Sequence, residues 1–582
     1  MALSFHFHGY QPGDLVRWLE PDPLKPPRFE ERRSPVALRI GGDRVSGRNW
    51  TDAVLHAYGR MEAVLERTAG AASADVEPQT LGWLQERDPE AYRRVLAAWE
   101  SGTAGFVLTP PFHPILPHHH RLERESLFAM MVDFFAPLLR RHTGPVGLWL
   151  PEAAYSAHTL RDFLAAARRA HGEIEGLPDL VGRTHLLLDA RQIAGRPVDH
   201  PRIGIDGGVA AVARDPVLSG DFAFGSSGAA GFVSAAKSRA GDSTLIASDL
   251  ESLLANPAQS DRFEAIVRTA SKEGVAVRAP APAAVTQLAR VVEYSSWSDY
   301  DEHPHDGHTS DTRWTGLRRR DGLVVGRTHR DERLSQLWKH AFTLATEQVE
   351  TAVRRTLRDL LPPVDVERRR ETVRRLAVAY GRHLWRDHYR ASGLSFGDTD
   401  LARNLDSILG GKADVEVAAH LARAYATMLM GLRSDPRFWD NPDTRVTFQG
   451  VACLAQSLVD AAEASRRAGQ RDRASRLLRL LQATLLELPE AYARGNFSEL
   501  HGFEGWEATE SAWLRSVQSE VPARSAYDVG RRAVLFGVGD ALRDGLAGFS
   551  FREEGVVADA GHIVGETHGE WANRDWCEHR AS

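Results

Sequence analysis

Two acidic residues stand where short apolar runs end. Glu152 follows Pro145-Val146-Gly147-Leu148-Trp149-Leu150-Pro151, and Asp249 follows Thr244-Leu245-Ile246-Ala247-Ser248. Each run reads as a buried strand that delivers one carboxylate to a sheet edge, and two carboxylates placed this way are the minimum equipment for cleaving a glycosidic bond. A second polar set lies at the N-terminus, where Leu3, Phe5 and Phe7 alternate with Ser4, His6 and His8 and Gln11 follows closely. Strand pleating puts both histidines on one face. Two imidazoles with a carboxamide suit sugar hydroxyls; a pair of satisfied core histidines and a zinc site on His6 and His8 are the other readings of this spacing. Further on, the four prolines of Pro110-Pro111-Phe112-His113-Pro114-Ile115-Leu116-Pro117 restrict the backbone and hold His113 in a fixed direction. The triple histidine after them, residues 118–120, reads as an exposed helix lead-in.

The elements that must position these groups follow from hydrophobic periodicity. From the N-terminus to about Trp314, short apolar runs alternate with amphipathic stretches. The runs are residues 2–7, 105–108, 146–150, 184–188, 208–212, 244–247 and 275–277; the helical stretches include 50–68, 89–100, 121–142 and 158–170. Strand–helix alternation of this kind builds parallel sheets or barrels, whose chemistry sits at the carboxyl ends of the strands. The barrel region is read as residues 1–315 and a polar connector as 316–334. Residues 335–361 then carry Trp338, Phe342, Ala345, Val349, Val353, Leu357 and Leu360 as one apolar helical stripe, stopped by Pro362-Pro363. Similar stretches at 366–391, 415–432, 446–468 and 471–488 predict an antiparallel helical bundle over 335–548. The tail, 549–582, shows no helical stripe.

Composition narrows the function class. The chain has 582 residues, 43% of them hydrophobic and 26% charged, so it exceeds what one core usually holds. Its net charge of −6, from 72 basic and 78 acidic residues, is too near balance for a nucleic-acid binder. Cys453 and Cys577 supply neither a disulfide framework nor a zinc spacing. No leader and no membrane-length apolar run is legible, so a soluble, cytoplasmic protein without a membrane partner is expected.

Four motifs now stand in order: Phe5-His6-Phe7-His8-Gly9-Tyr10-Gln11-Pro12, His113-Pro114-Ile115-Leu116-Pro117, Gly147-Leu148-Trp149-Leu150-Pro151-Glu152 and Asp249-Leu250-Glu251. Together they resemble the motif series of glycoside hydrolase family 57, and the stretches Glu77–Leu84 and Asp215–Phe224, which includes Asp221, resemble its long subgroup. That resemblance implies an α/β fold: an incomplete seven-stranded parallel (β/α) barrel followed by a C-terminal α-helical bundle. It implies a retaining enzyme, hydrolase or glycosyltransferring, on α-linked oligo- or polysaccharides; neither a metal nor a cofactor is expected. Glu152 matches the nucleophile and Asp249 the acid/base, with Glu251 able to modulate Asp249. His6, His8, Gln11, His113, Trp149 and Asp221 match sugar-lining positions. Trp297 and Trp314 resemble a Trp-bearing segment that either stacks on sugar or packs a domain interface. The family's usual Gly-His after Asp-x-Glu is replaced by Ser252-Leu253-Leu254-Ala255. A zinc-dependent carbohydrate deacetylase built on His6 and His8, and a glycan binder whose altered loop has disabled turnover, stand as alternatives.

Overall fold

The structure is a computed structural model that describes residues 2–10, 22–25, 39–40, 43–44, 58–68, 70–194, 202–203, 208–239, 243–255, 257–282, 288–293, 295–297, 314, 317–320, 323–326, 337–393, 395–411, 414–438 and 445–481. Gln11, the stretch 482–548 and the tail 549–582 lie outside the described residues.

Seven parallel strands form the barrel: β1 (Ala2–Gly9), β2 (Ala72–Val76), β3 (Gly105–Leu108), β4 (Val146–Leu148), β5 (Thr184–Asp189), β6 (Val209–Arg214) and β7 (Ser243–Asp249). Hydrogen bonding runs from β7 through β1 to β6 in the order β7-β1-β2-β3-β4-β5-β6. The ring closes through one residue pair, Leu245 with Arg214, against a seven-pair register between β1 and β7. Closure is therefore thin at that seam, which is the incompleteness expected of the barrel. The lumen is packed by Val107, Trp149, Ala153, Leu187, Val212 and Leu245. Residues of the opposite strand face, such as Phe5, Phe7, Ala74, Leu108 and Leu186, join the larger core beneath the helices. This is the alternation that a strand buried on both faces imposes.

The helices return the chain to the start of each next strand. Among them are α1 (Pro78–Arg87), α2 (Pro89–Glu100), α3 (Arg121–Leu139), α4 (Ala157–Glu173), α5 (Pro216–Phe224) and α6 (Leu250–Ala255). Their starts are chemically specified: the side chains of Glu77, Asp88, Ser156 and Asp215 each accept from a first-turn backbone N–H, and Pro occupies the first helical position of α1, α2 and α5. One strand and several boundaries differ from the periodicity reading. Ala72–Val76 is a strand outside that reading, because Ala-Ser-Ala-Asp-Val carries too little apolar bulk to signal one. Of the stretch 50–68, the described helix is Met61–Glu66.

The second half is helical: α7 (Leu337–Leu360), α8 (Val366–Leu384), α9 (Arg386–Ala391), α10 (Leu401–Leu409), α11 (Val415–Gly431), α12 (Arg445–Arg467) and α13 (Arg471–Leu480). The expected single helix 366–391 is broken at Trp385, whose ring packs between Phe112 and Phe134 of the barrel side. A hairpin, Leu317–Arg320 with Leu323–Gly326, occupies part of the connector. Among the described residues no helix is long and apolar enough to cross a membrane.

Barrel and bundle are joined by α3, almost wholly buried over its length. Asp133 of α3 accepts from Arg382 Nε (2.9 Å) and Nη2 (2.6 Å) of α8 and from Tyr389 Oη (2.7 Å) of α9. Truncating one member of such a set leaves the others desolvated and unpaired. Asp133→Ala is therefore expected to lower the unfolding free energy by about 2–3 kcal/mol, read as a shifted midpoint in urea denaturation at neutral pH.

Candidate active site

Strand register assembles the site before any loop contributes. His8 of β1 pairs with Asp75 of β2 on one side and with Asp249 of β7 on the other. In-register residues of neighbouring parallel strands share a face and stand about 4.8 Å apart, so Asp75, His8 and Asp249 form one row at the carboxyl ends of three strands. Asp189 and Arg214, paired across β5 and β6, extend the ring of charge. Arg214 Nε donates to Asp189 Oδ2 at 2.6 Å, and Arg191 donates to the same carboxylate through Nε and Nη2, both at 2.8 Å. Those two cations hold Asp189 below the usual carboxylate range despite its burial.

Glu152 enters from a strained turn. It and Ala153 adopt φ of +57° and +49°, and the only other described non-glycine residues at positive φ are Phe112 and His113, at +69° and +52°. Each such residue costs about 1–3 kcal/mol and persists only where its surroundings over-determine it. Both pairs are pinned. The Glu152 carbonyl accepts from Trp297 N (3.0 Å), the Ala153 carbonyl accepts from Gln192 Nε2 (2.8 Å), and the Trp297 indole Nε1–H donates to Glu152 Oε2 (2.8 Å). At the other turn the buried Glu77, which caps α1, also accepts from the Phe112 backbone N–H. Glu77 thus ties the turn that carries His113 to the start of α1.

His113 links the site to the bundle. Its Nε2 lies 2.8 Å from His8 Nε2, its Nδ1 2.7 Å from Ser434 Oγ and 4.0 Å from Glu152 Oε1. Tyr10 stacks on its other side at 4.1 Å, and Tyr10 Oη in turn bonds Asp435 and Arg433. Residues 433–435 follow α11, so the helical half closes one wall of the site.

The electrostatics divide the titratable groups. Burial pushes the Asp249 carboxyl up, His8 opposes this, and Glu152 adds to it; the Asp249 residue nonetheless opens to solvent at the cleft, so crowding by protein rather than full enclosure is the cause. Burial and then Asp249 push Glu251 up to about 8, and Tyr58 Oη donates to it at 3.1 Å. Burial lowers His8, but Asp75, Asp249 and Glu251 outweigh it and carry the imidazole up to about 9. Burial takes His113 and His6 down.

The expected residues separate into two groups. Glu152, Asp249, Glu251, His8, His113 and Trp297 come together. Four expected sugar-lining positions are engaged by protein groups. His6 is fully buried, with Nδ1 3.0 Å from Ser73 Oγ and Nε2 3.1 Å from Asp75. Trp149 is fully buried and packs on His6, His8 and Trp297, because its position directly after β4 points into the lumen. Trp314 is fully buried among Ile115 and Ala154 and donates to Ser296. Asp221 sits in α5, engaged by Arg262 and Ser227. Both nitrogens of His6 and of His8 are directed at protein atoms, and the two rings meet on the Asp75 carboxylate. Among the described residues no group of three His, Cys, Asp or Glu is arranged to hold a metal ion.

Asp75, Asp189, Arg214 and Ser434 belong to the site without having been legible as candidates. For Asp75 a signal exists: Ser73 and Asp75 alternate with Ala72, Ala74 and Val76, the same period of two as His6 and His8.

Comparison with known proteins places the chain. A family model described as the maltose-forming alpha-amylase-like N-terminal domain matches residues 1–309, and its C-terminal counterpart matches 313–561. The chain belongs to the maltose-forming alpha-amylase-like family. An exo-type maltose-forming amylase from Pyrococcus sp. ST04 is 32% identical over 94% of both chains, with a TM-score of 0.75. This family membership makes the chain a glycoside hydrolase or glycanotransferase. A 4-alpha-glucanotransferase from Thermococcus litoralis (11% identity, 80% of this chain and 60% of that one, TM-score 0.43) and a GH57 branching enzyme from Thermococcus kodakaraensis (10%, 83% and 94%, 0.42) are remote likenesses. Of the expected relationship, the comparisons show the maltose-forming alpha-amylase-like domains. No curated protein matches the chain significantly.

The pinned turn yields a prediction for this enzyme. Gln192→Met would leave the Ala153 carbonyl and the Asp189 backbone N–H without their 2.8 Å partners. We expect a loss of about 1–3 kcal/mol in urea denaturation, with a fall in turnover larger than any change in KM as Glu152 loses its fixed direction.

Proposed function

We propose that the enzyme is a retaining glycoside hydrolase of family 57 type that releases maltose from the ends of α-glucan chains, with Glu152 as nucleophile and Asp249 as acid/base. The observation that carries this reading is the pairing of a rigidly presented Glu152 with an Asp249 whose carboxyl is held up in the same cleft. A double displacement needs those two carboxyl groups in opposite protonation states.

In the first step Glu152 attacks the anomeric carbon while Asp249 gives its proton to the departing glycosidic oxygen. Trp297 keeps Glu152 aimed, and the Gln192 and Trp297 backbone contacts stop its turn relaxing to an ordinary conformation. In the second step ionised Asp249 takes a proton from water, which displaces the sugar from Glu152; a sugar hydroxyl in place of water gives transfer. Arg214, 4.5 Å from the Trp297 ring centroid, supplies positive charge that favours the ionised form of Asp249. Maltose as product rests on the likeness to the exo-type maltose-forming amylase.

The pH dependence follows in sign. Because Asp249 acts as an acid while protonated, rising pH removes its proton and activity falls on the alkaline side.

On maltooligosaccharides, Glu152→Gln is expected to abolish turnover and Asp249→Asn to reduce it by about a thousandfold or more, both with wild-type folding by circular dichroism. On 4-nitrophenyl α-maltoside, whose leaving group needs little protonation, Asp249→Asn should accumulate a maltosyl adduct on Glu152, detectable by peptide mass. Wild-type turnover by Glu152→Gln would refute the assignment.

A further inference from the structure

Asp75 lies outside the catalytic pair, yet it is fully buried and its carboxylate faces two imidazoles at once. Oδ2 is 2.8 Å from His8 Nδ1 and Oδ1 is 3.1 Å from His6 Nε2. A bare carboxylate in the lumen of a barrel is too costly to persist without a cation or several donors. Of the two rings, His6 also bonds Ser73 and lies one layer deeper, away from the cleft. His8 lies in the row between Asp75 and Asp249 and is the ring whose charge answers carboxylates on both sides.

We propose that Asp75 is a positioning residue that fixes His8 as an imidazolium, and that this buried cation is the built-in counter-ion of the Asp249–Glu251 carboxyl pair. The proposal rests on the two-carboxylate reading of the site. The groups facing His8 are Asp75 from β2, His6 from its own strand, His113 from the turn after β3, Asp249 from β7 and Glu251 from α6. Three of the five are acidic. The contacts accommodate that charge: Asp75 accepts from His8 Nδ1–H at 2.8 Å, and a proton on His8 Nε2 finds its acceptor 2.8 Å away when neutral His113 carries its own proton on Nδ1, 2.7 Å from Ser434 Oγ. The bundle residue Ser434 thereby holds the His113 ring on the side away from His8.

The counter-ion has a role in the reaction. Asp249 must lose its proton in the first step and carry negative charge beside Glu152 until water is activated. Once Glu152 is esterified its charge no longer opposes that ionised form, but burial still does, whereas His8, one strand away in the same row, favours it. Without the cation Asp249 would be too weak an acid to release its proton readily. Asp75 does this without touching substrate, by holding charge on the residue that faces the carboxyls.

The test is a 13C-histidine NMR titration of the intact enzyme, with the His8 resonance assigned by its loss in His8→Gln. His8 is expected to stay an imidazolium at pH 7 and to titrate at about 9; a midpoint below 7 would overturn the proposal, and this measurement on the wild-type chain needs neither a folded variant nor turnover. In Asp75→Asn the midpoint should fall by about two pH units or more. In His8→Gln the alkaline limb of kcat/KM should move to higher pH by about one pH unit, because the carboxyl pair loses its cation; an unmoved limb would also count against the counter-ion role. Should Glu152→Gln prove active, the catalytic reading fails while the titration of His8 still stands or falls by itself.

Discussion

Parallel register is the constraint on which this site depends. Because β2, β1 and β7 pair without offset at their carboxyl ends, Asp75, His8 and Asp249 are forced into one row, and β5 with β6 places Asp189 and Arg214 in the continuation of the ring. Acid and base alternate around it. A carboxylate inside a barrel is tolerable only beside a cation or a set of donors, so the same alternation that makes these buried charges possible also fixes where they point. A one-residue slip of β1 would turn His6 and His8 away from the lumen and expose Phe5 and Phe7 to it.

Rigidity comes from outside the strands. The two strained turns, Phe112-His113 and Glu152-Ala153, are the described non-glycine residues at positive φ, and each is tied by groups remote in sequence. Glu77 of the α1 cap holds the first turn, while Gln192 and Trp297 hold the second. The bundle adds Arg433, Ser434 and Asp435, which brace Tyr10 and His113. The helical half therefore belongs to the site physically, and the thin seam between β6 and β7 lies on the strand that carries Asp249.

Much of this is legible in the chain. Apolar runs ending in an acidic residue locate Glu152 and Asp249, and the period of two in β1 puts His6 and His8 on the lumen face. The helical stripe of α7 is visible from its spacing, as are the paired prolines after it. What escapes such reading has a common cause. Asp75 lies on a strand built largely from alanine and serine, whose small side chains give no hydrophobic signal although they allow close approach inside a narrow barrel. Ser434 is 321 residues from the histidine it serves, and no local pattern encodes such a contact. Trp149 and Trp314 match a sugar-lining motif by type, but their burial is set by packing partners that the motif does not contain.

Glu152 and Asp249 are assigned two successive displacements at one anomeric carbon, and the configuration of the freshly released sugar reports this most directly. Proton NMR during the first minutes of maltooligosaccharide cleavage, before mutarotation, should show the α-anomer of the product. Initial appearance of the β-anomer would mean a single displacement by water and would contradict the account.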